Sequence, residues 1–248
     1  GGITPLPTAP SPRSGSTPYR APALSQPVSY GGSLTQLNGI NAKAAQDSGW
    51  TGAGVILAMF DTGFNKSHNA TVQLKRIAEY DFVFNDAETA NQAGDVTSAW
   101  DHGTGTWSVA GGYYPGNLAG PAYNASFLLA KTEDVRSETP IEEDNWVAAV
   151  EWADSLGADV ISSSLAYLTF DSASDDYHYA DMDGRTATVT LAALLAARRG
   201  IVVANAMANS GPDVGSLNAP ADADSILSVG AVNDVNLIAS FSSRGPTA

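Results

Sequence analysis

The feature that most restricts this chain is an alternation of short, wholly apolar runs with longer helix-patterned ones. GVILAMF (54–60) is apolar throughout at strand length, as expected of a strand covered on both faces. DNWVAAVEWADSLG (144–157) sets Trp146, Ala149, Val150, Ala153 and Leu156 at helical spacing and ends on Gly157. ADVISSSL (158–165) reads as the next strand. TATVTLAALLAARRG (186–200) is apolar nearly all round, carries Arg198 and Arg199 in its last turn and closes on Gly200, which predicts a helix. IVVANAM (201–207) and SILSVGAV (225–232) then predict two more buried strands. Strand, helix, strand, helix, strand is the pattern of an α/β fold with three layers: a doubly wound, mostly parallel sheet, right-handed crossovers and helices on both faces. In such a sheet, functional groups gather at the carboxyl ends of the strands.

With 248 residues, 44% of them hydrophobic, the chain can bury one sizeable core, so one main domain is expected. Residues 1–28 are rich in Pro, Ser, Gly and Ala without hydrophobic periodicity and read as a linker or arm, leaving 29–248 as the domain. The chain opens on Gly1 and stops at Ala248 inside a patterned segment, so both ends are expected to be cuts in a longer protein. There is no cysteine, which removes disulfides, thiolate catalysis and cysteine-ligated metals. A net charge of −14 disfavours nucleic acid and anionic membranes as partners. No run approaches the ~18 apolar residues of a spanning helix.

The chemistry-bearing residues begin at the end of the first strand. Asp61, in MFDTGF, stands at a strand mouth, where a half-desolvated carboxylate needs a partner. His102, in AWDHGTGTWSVAGG, opens a helix whose Gly103 and Gly105 would let it approach the sheet. An aspartate that accepts from one imidazole nitrogen fixes the tautomer and leaves the other free as a base.

Five motifs now carry a resemblance: D-T-G after an apolar strand, H-G-T opening a helix, V-I-S-S-S-L, an Asn shortly after V-V-A, and S-F-S-S-R-G-P-T. In this order they resemble the subtilisin-like serine proteases, the subtilases, over about residues 29–248. The resemblance implies a subtilisin-like fold and a serine endopeptidase with an Asp-His-Ser triad, in which Asp61 orients the general base His102. It implies Asn209 as the oxyanion-hole donor and Ser164, Leu165 and Ala166 as the strand that receives the substrate backbone. Protein or peptide substrates, a secreted or extracellular location and no cofactor for the chemistry follow from the same likeness. Two departures stand out: Ala208 and Ala166 replace glycines usual in the family, and the extra methyls are expected to narrow the specificity pocket. The family's G-T-S-M-A type nucleophile motif follows the SSRGPT segment and is not reached by Ala248, so the fragment alone is expected to be inactive.

Other readings remain beside this one. His68 is a rival base in an ordinary loop, and His178 sits among acids and tyrosines on a solvated one. Asp171, Asp175, Asp176, Asp181 and Asp183 offer the hard oxygens that a structural calcium takes, although a solvated loop is favoured. Asn209 is also a common turn residue before Gly211 and Pro212. A catalytically dead, peptide-binding relative is the alternative function. A dinucleotide enzyme is disfavoured, because GWTGAGV precedes its strand and GTGTWS lacks the third glycine.

Overall fold

A computed structural model describes residues 28–248; all but the last residue of the expected arm 1–28 lies outside the described residues. In chain order the elements are α1 (Leu34–Gly39), α2 (Ala42–Asp47), β1 (Ile56–Asp61), β2 (Lys75–Asp81), α3 (Asp101–Gly111), β3 (Tyr113–Tyr114), β4 (Leu118–Ala119), β5 (Ser126–Lys131), α4 (Ile141–Ser155), β6 (Val160–Ser163), α5 (Thr188–Arg198), β7 (Val202–Ala206) and β8 (Leu227–Val229). Six strands form one sheet in the order β2-β5-β1-β6-β7-β8, and each pairing is parallel. The short β3 and β4 pair separately as an antiparallel hairpin.

The continuous apolar runs have the expected cause: the sheet is covered on both sides. Ala58 and Phe60 of β1, with Leu128 and Ala130 of β5, join the core beneath α4 and α5. Their neighbours Leu57, Met59, Phe127 and Leu129 face the opposite core, which holds Trp107 of α3. Aromatic contacts fasten each layer: Phe60 meets Trp146 edge-on at 5.5 Å, and Trp107 meets Phe127 at 5.8 Å. Trp146 is fully buried, and its indole N–H donates to the Ser163 hydroxyl at 3.1 Å, so burial leaves that donor satisfied.

Some elements differ from the sequence reading. The helix expected from residue 144 starts at Ile141, because its first turn takes up Glu142 and Glu143, both buried. The strand expected over 158–165 ends at Ser163, so Ser164–Ala166 lie just beyond the ladder. The expected buried strand 225–232 is three residues long, and all three are exposed, because β8 is the edge strand.

An ion cluster closes one rim of the sheet. The buried Lys131 ends β5, and its ammonium lies 3.0 Å from Asp81 and 2.9 Å from Asp95, above the ring of Phe84. A buried cation is tolerated only with such partners, and here they pin the 82–95 loop that leads toward α3.

Candidate active site

The site starts where β1 runs out. Asp61 is its last residue and is fully buried. One carboxylate oxygen accepts the Thr62 backbone N–H at 2.8 Å and meets His102 Nδ1 at 2.7 Å. The other accepts the Thr106 hydroxyl at 2.8 Å. An ionised carboxylate only accepts, so Nδ1 carries the proton and Nε2 presents its lone pair outward. The hydrogen bond to Asp61 raises the His102 pKa above the usual 6.5, partial burial opposes it, and the aspartate charge adds to the rise. The side chain is 54% exposed, so Nε2 can reach a substrate.

Local sterics explain how α3 gets so close. A Cβ on Gly103 would sit 2.1 Å from the Gly63 carbonyl oxygen and 3.0 Å from Asp61 Cβ. Only glycine allows this helix to touch this turn. Gly105 is different: an added methyl there would meet nothing within 4 Å, so of the two glycines only Gly103 is needed for the approach to the turn. Gly63 adopts φ +131°, a region closed to ordinary side chains, and so turns the chain sharply after Asp61. The helix start is held as well: Thr104 donates to the Trp100 carbonyl at 2.6 Å and accepts the Asn65 N–H at 2.7 Å.

His102 opens onto a cleft of about 680 Å³ that is also lined by Thr62, Ser164, Leu165, Ala166 and Asn209. His102, Asn209 and Ser164–Ala166 therefore share one hollow, with Asp61 buried behind His102. Asn209 is exposed, and its side chain makes no hydrogen bond among the described residues. Its loop is held from behind: Ser210 N–H donates to Ser243 Oγ at 2.9 Å, Gly211 N–H to the Phe241 carbonyl at 3.0 Å, and Ser243 N–H to the Ala208 carbonyl at 3.1 Å. The SFSSRGPT segment thus braces the 208–211 loop. Ala208 takes φ +88°, a conformation that favours glycine, so this departure places strain in the backbone as well as a methyl in the cleft.

Two positioning residues escape a reading of the sequence. Thr106 steadies the second oxygen of Asp61. Asn205 is buried in β7, and its amide donates to the Leu165 carbonyl at 2.9 Å and the Ala206 carbonyl at 2.8 Å, tying the 164–166 segment to the strand that leads into Asn209. A polar residue interrupting the run VVANAM is the signal that could have found it.

The rival histidines lie elsewhere. His68 is exposed in a turn, where its Nδ1 accepts the Ala70 N–H at 3.3 Å. His178 is 78% exposed and lies 3.8 Å from Asp181. The acids of 171–183 serve their own backbone: Asp176 accepts the Phe170 N–H, Asp181 the His178 N–H, and Asp183 those of Arg185 and Thr186. Among the described residues no three His, Asp or Glu side chains converge in a group that could hold a metal ion.

A sequence model of the subtilase family matches residues 52–248. Subtilisin E of Bacillus subtilis (strain 168) is 33% identical over 223 residues, covering 89% of this chain and 50% of that protein. The minor extracellular protease Vpr of the same organism is 31% identical over 198 residues, covering 77% of this chain and 22% of that protein. The chain thus spans half or less of the length of these two relatives. Among solved structures, the prenylagaramide maturation protease PagA superposes with TM-score 0.62 at 19% identity, covering 83% of this chain and 63% of that one. That likeness concerns the fold. Among the described residues no helix is long and apolar enough to cross a membrane.

Proposed function

The chain belongs to the subtilase family of serine proteases, and we propose that it supplies the acid–base half and the substrate groove of a serine endopeptidase that hydrolyses proteins. The observation that carries this is the 2.7 Å contact of His102 with the buried Asp61, opening onto the same cleft as Asn209 and Ser164–Ala166. In this reading His102 Nε2 takes the proton of a serine hydroxyl as that oxygen attacks the scissile carbonyl. Asp61 holds the ring and stabilises the imidazolium that forms, and His102 then returns the proton to the leaving amine. Asn209 donates its amide N–H to the carbonyl oxygen as it becomes negative, an interaction stronger in the transition state than in the ground state. The chain past Ser163 leaves the ladder and offers its backbone to an extended peptide as an added strand. Subtilase chemistry needs no cofactor.

Among the described residues no serine hydroxyl hydrogen-bonds to His102, which supports a nucleophile supplied from outside residues 28–248. Residues 29–248 are read as the N-terminal portion of the catalytic domain. An extracellular place of work, the word in one relative's name, belongs to the same proposal.

The test uses the product of the complete reading frame beside residues 1–248 alone. A fluorophosphonate probe is expected to label a serine in the former and none in the latter, and His102→Ala is expected to abolish labelling and casein hydrolysis together. Asn209→Ala should lower kcat with little change in KM. Hydrolysis that survives His102→Ala, or a serine labelled in residues 1–248 alone, overturns the corresponding statement.

A further inference from the structure

The cleft that holds His102 has an acidic arm. Glu133, Asp134, Glu138, Glu142 and Asp171 line it, against a single arginine, Arg136. Arg136 is already engaged, its guanidinium bound two-pronged to Asp134 with both contacts at 2.6 Å. The other four carboxyls have no basic partner among the described residues.

Two of them sit at the bottom, Glu133 at 8% exposure and Glu142 at 2%. Glu142 accepts the backbone N–H groups of Asp134 at 2.9 Å and Thr139 at 3.1 Å. Glu133 accepts on Oε1 alone, from the Tyr167 hydroxyl at 2.6 Å and the Thr132 hydroxyl at 2.9 Å. Its Oε2 has no hydrogen-bond partner among the described residues, although the residue is more than nine-tenths buried and lines the cleft. The oxygen itself keeps contact with the cleft's solvent, so a donor that enters the arm can reach it. Glu138 and Asp171 stand at the rim and are joined through their backbones, Asp171 N–H to the Glu138 carbonyl at 2.7 Å.

Resting on the protease reading above, we propose that this arm is a subsite for a basic side chain, so that the substrates are proteins with an arginine or lysine within a few residues of the scissile bond. Glu133 and Glu142 receive the N–H groups of the cation, and Glu138 and Asp171 draw it in from the rim. Guanidinium fits better than ammonium, because its planar fork can reach carboxyls on two different segments. A divalent metal ion is the poorer occupant, since no three ligating groups converge there among the described residues. Burial keeps Glu133 well above the usual carboxylate range and lifts Glu142 to about 7. Burial thus disfavours the charged form of both carboxyls, and an entering cation favours it.

The complete protein is assayed with peptides in which each position flanking the cleaved bond is set in turn to arginine, lysine, citrulline, norleucine or glutamate. One position is expected to prefer arginine over both citrulline and norleucine by about tenfold or more in kcat/KM, with a preference that shrinks as salt is added. Glu133→Gln keeps an acceptor for Tyr167 but cannot ionise, and should collapse the arginine-to-citrulline ratio. Glu138→Gln, whose carboxyl has no side-chain partner to lose, should reduce the ratio in part. Thermal unfolding shows that each variant is folded. Binding of an arginine peptide and its citrulline twin to the His102→Ala protein supplies a readout that needs no turnover. Turnover without arginine selection, or a selection unchanged in both variants, overturns the subsite and leaves the protease reading intact. Arginine-selective binding in a protein that never hydrolyses peptides overturns the protease reading and keeps the subsite.

Discussion

Two glycines separated by a single residue in α3 should respond to the same added methyl with opposite signs. In Gly103→Ala the new carbon would lie 2.1 Å from the Gly63 carbonyl oxygen. A tolerable carbon–oxygen contact is about 3.3 Å, so roughly 1.2 Å must open between helix and turn. The His102–Asp61 bond, now 2.7 Å, would stretch past the ~3.5 Å at which hydrogen bonding fails if the helix backed away by that much. Overpacking costs about 1–3 kcal/mol, losing a hydrogen bond to a charged group about 1.5–3 kcal/mol, and alanine's better helix propensity offsets about 1 kcal/mol. The net expectation is a loss of about 1.5–5 kcal/mol, with a fall in kcat/KM of the complete protein of roughly 100-fold or more. Gly105→Ala meets nothing within 4 Å on the exposed side of the same helix, and should gain up to about 1 kcal/mol. Urea unfolding of the three proteins measures the first part, and an NMR titration of the His102 ring measures the second, its pKa falling toward 6.5 in Gly103→Ala. Equal stability of the two variants, or an unmoved His102 titration in Gly103→Ala, would refute the reasoning.

Three further expectations follow from the same geometry. Because Ala208 holds φ +88°, Ala208→Gly should stabilise the protein by about 0.5–2 kcal/mol: strain relief of about 1–3 kcal/mol less the entropy of a freer unfolded chain. A lower midpoint in urea would contradict it. Since the bond to Asp61 raises the His102 pKa, kcat/KM should rise with pH on a limb centred above 6.5, and Asp61→Asn should move any residual limb downward. The same shift stabilises the fold below the unfolded value and is lost as pH climbs through the folded one, so His102→Gln should destabilise more at about pH 5.5 than at about pH 9, measured by urea unfolding at both. Asn205→Ala strips a donor from the Leu165 and Ala206 carbonyls, and should cost about 1–3 kcal/mol while raising KM more than it lowers kcat; an unchanged KM would count against its tie between β7 and the 164–166 segment.

The sheet is legible where burial and apolarity coincide and illegible where they part. β1, β6 and β7 run through the middle of the sheet, so their sequences are largely apolar and read as strands. β2, KRIAEYD, is an edge strand with partly solvated residues and offers no apolar run to find. β5, SFLLAK, is wholly buried, but Ser126 and Lys131 stand at its ends, and its lysine does not look like a core residue until Asp81 and Asp95 are seen around it. β8 errs in the opposite direction: LSV looks like core and lies at the open edge. Apolarity reports what a segment can tolerate, and position in the sheet decides what it meets.

The candidate site residues gather where they do for a reason rooted in the parallel arrangement. In a parallel sheet every strand ends at the same rim, so segments far apart in sequence deliver their next residues to one place. Asp61 ends β1, Glu133 follows β5 by two residues, Ser164 follows β6 directly, and Asn209 comes three residues after β7. Those four strands are consecutive neighbours, β5-β1-β6-β7, so the groups stand along one continuous edge. Residues that look misplaced within or just beyond apolar runs are thus concentrated at that rim: a buried aspartate, a buried glutamate with an unpartnered oxygen, an asparagine inside a strand, and an alanine in a glycine conformation. The positive φ of Ala208 stores strain, and the buried Asp61 and Asn205 are tolerated because partners meet them. The sequence displays Asp61 because it needs a visible partner in His102, and it shows Ala208 as a missing glycine without the dihedral angle that residue takes; it conceals Glu133, whose burial comes with contacts to Thr132 and the distant Tyr167.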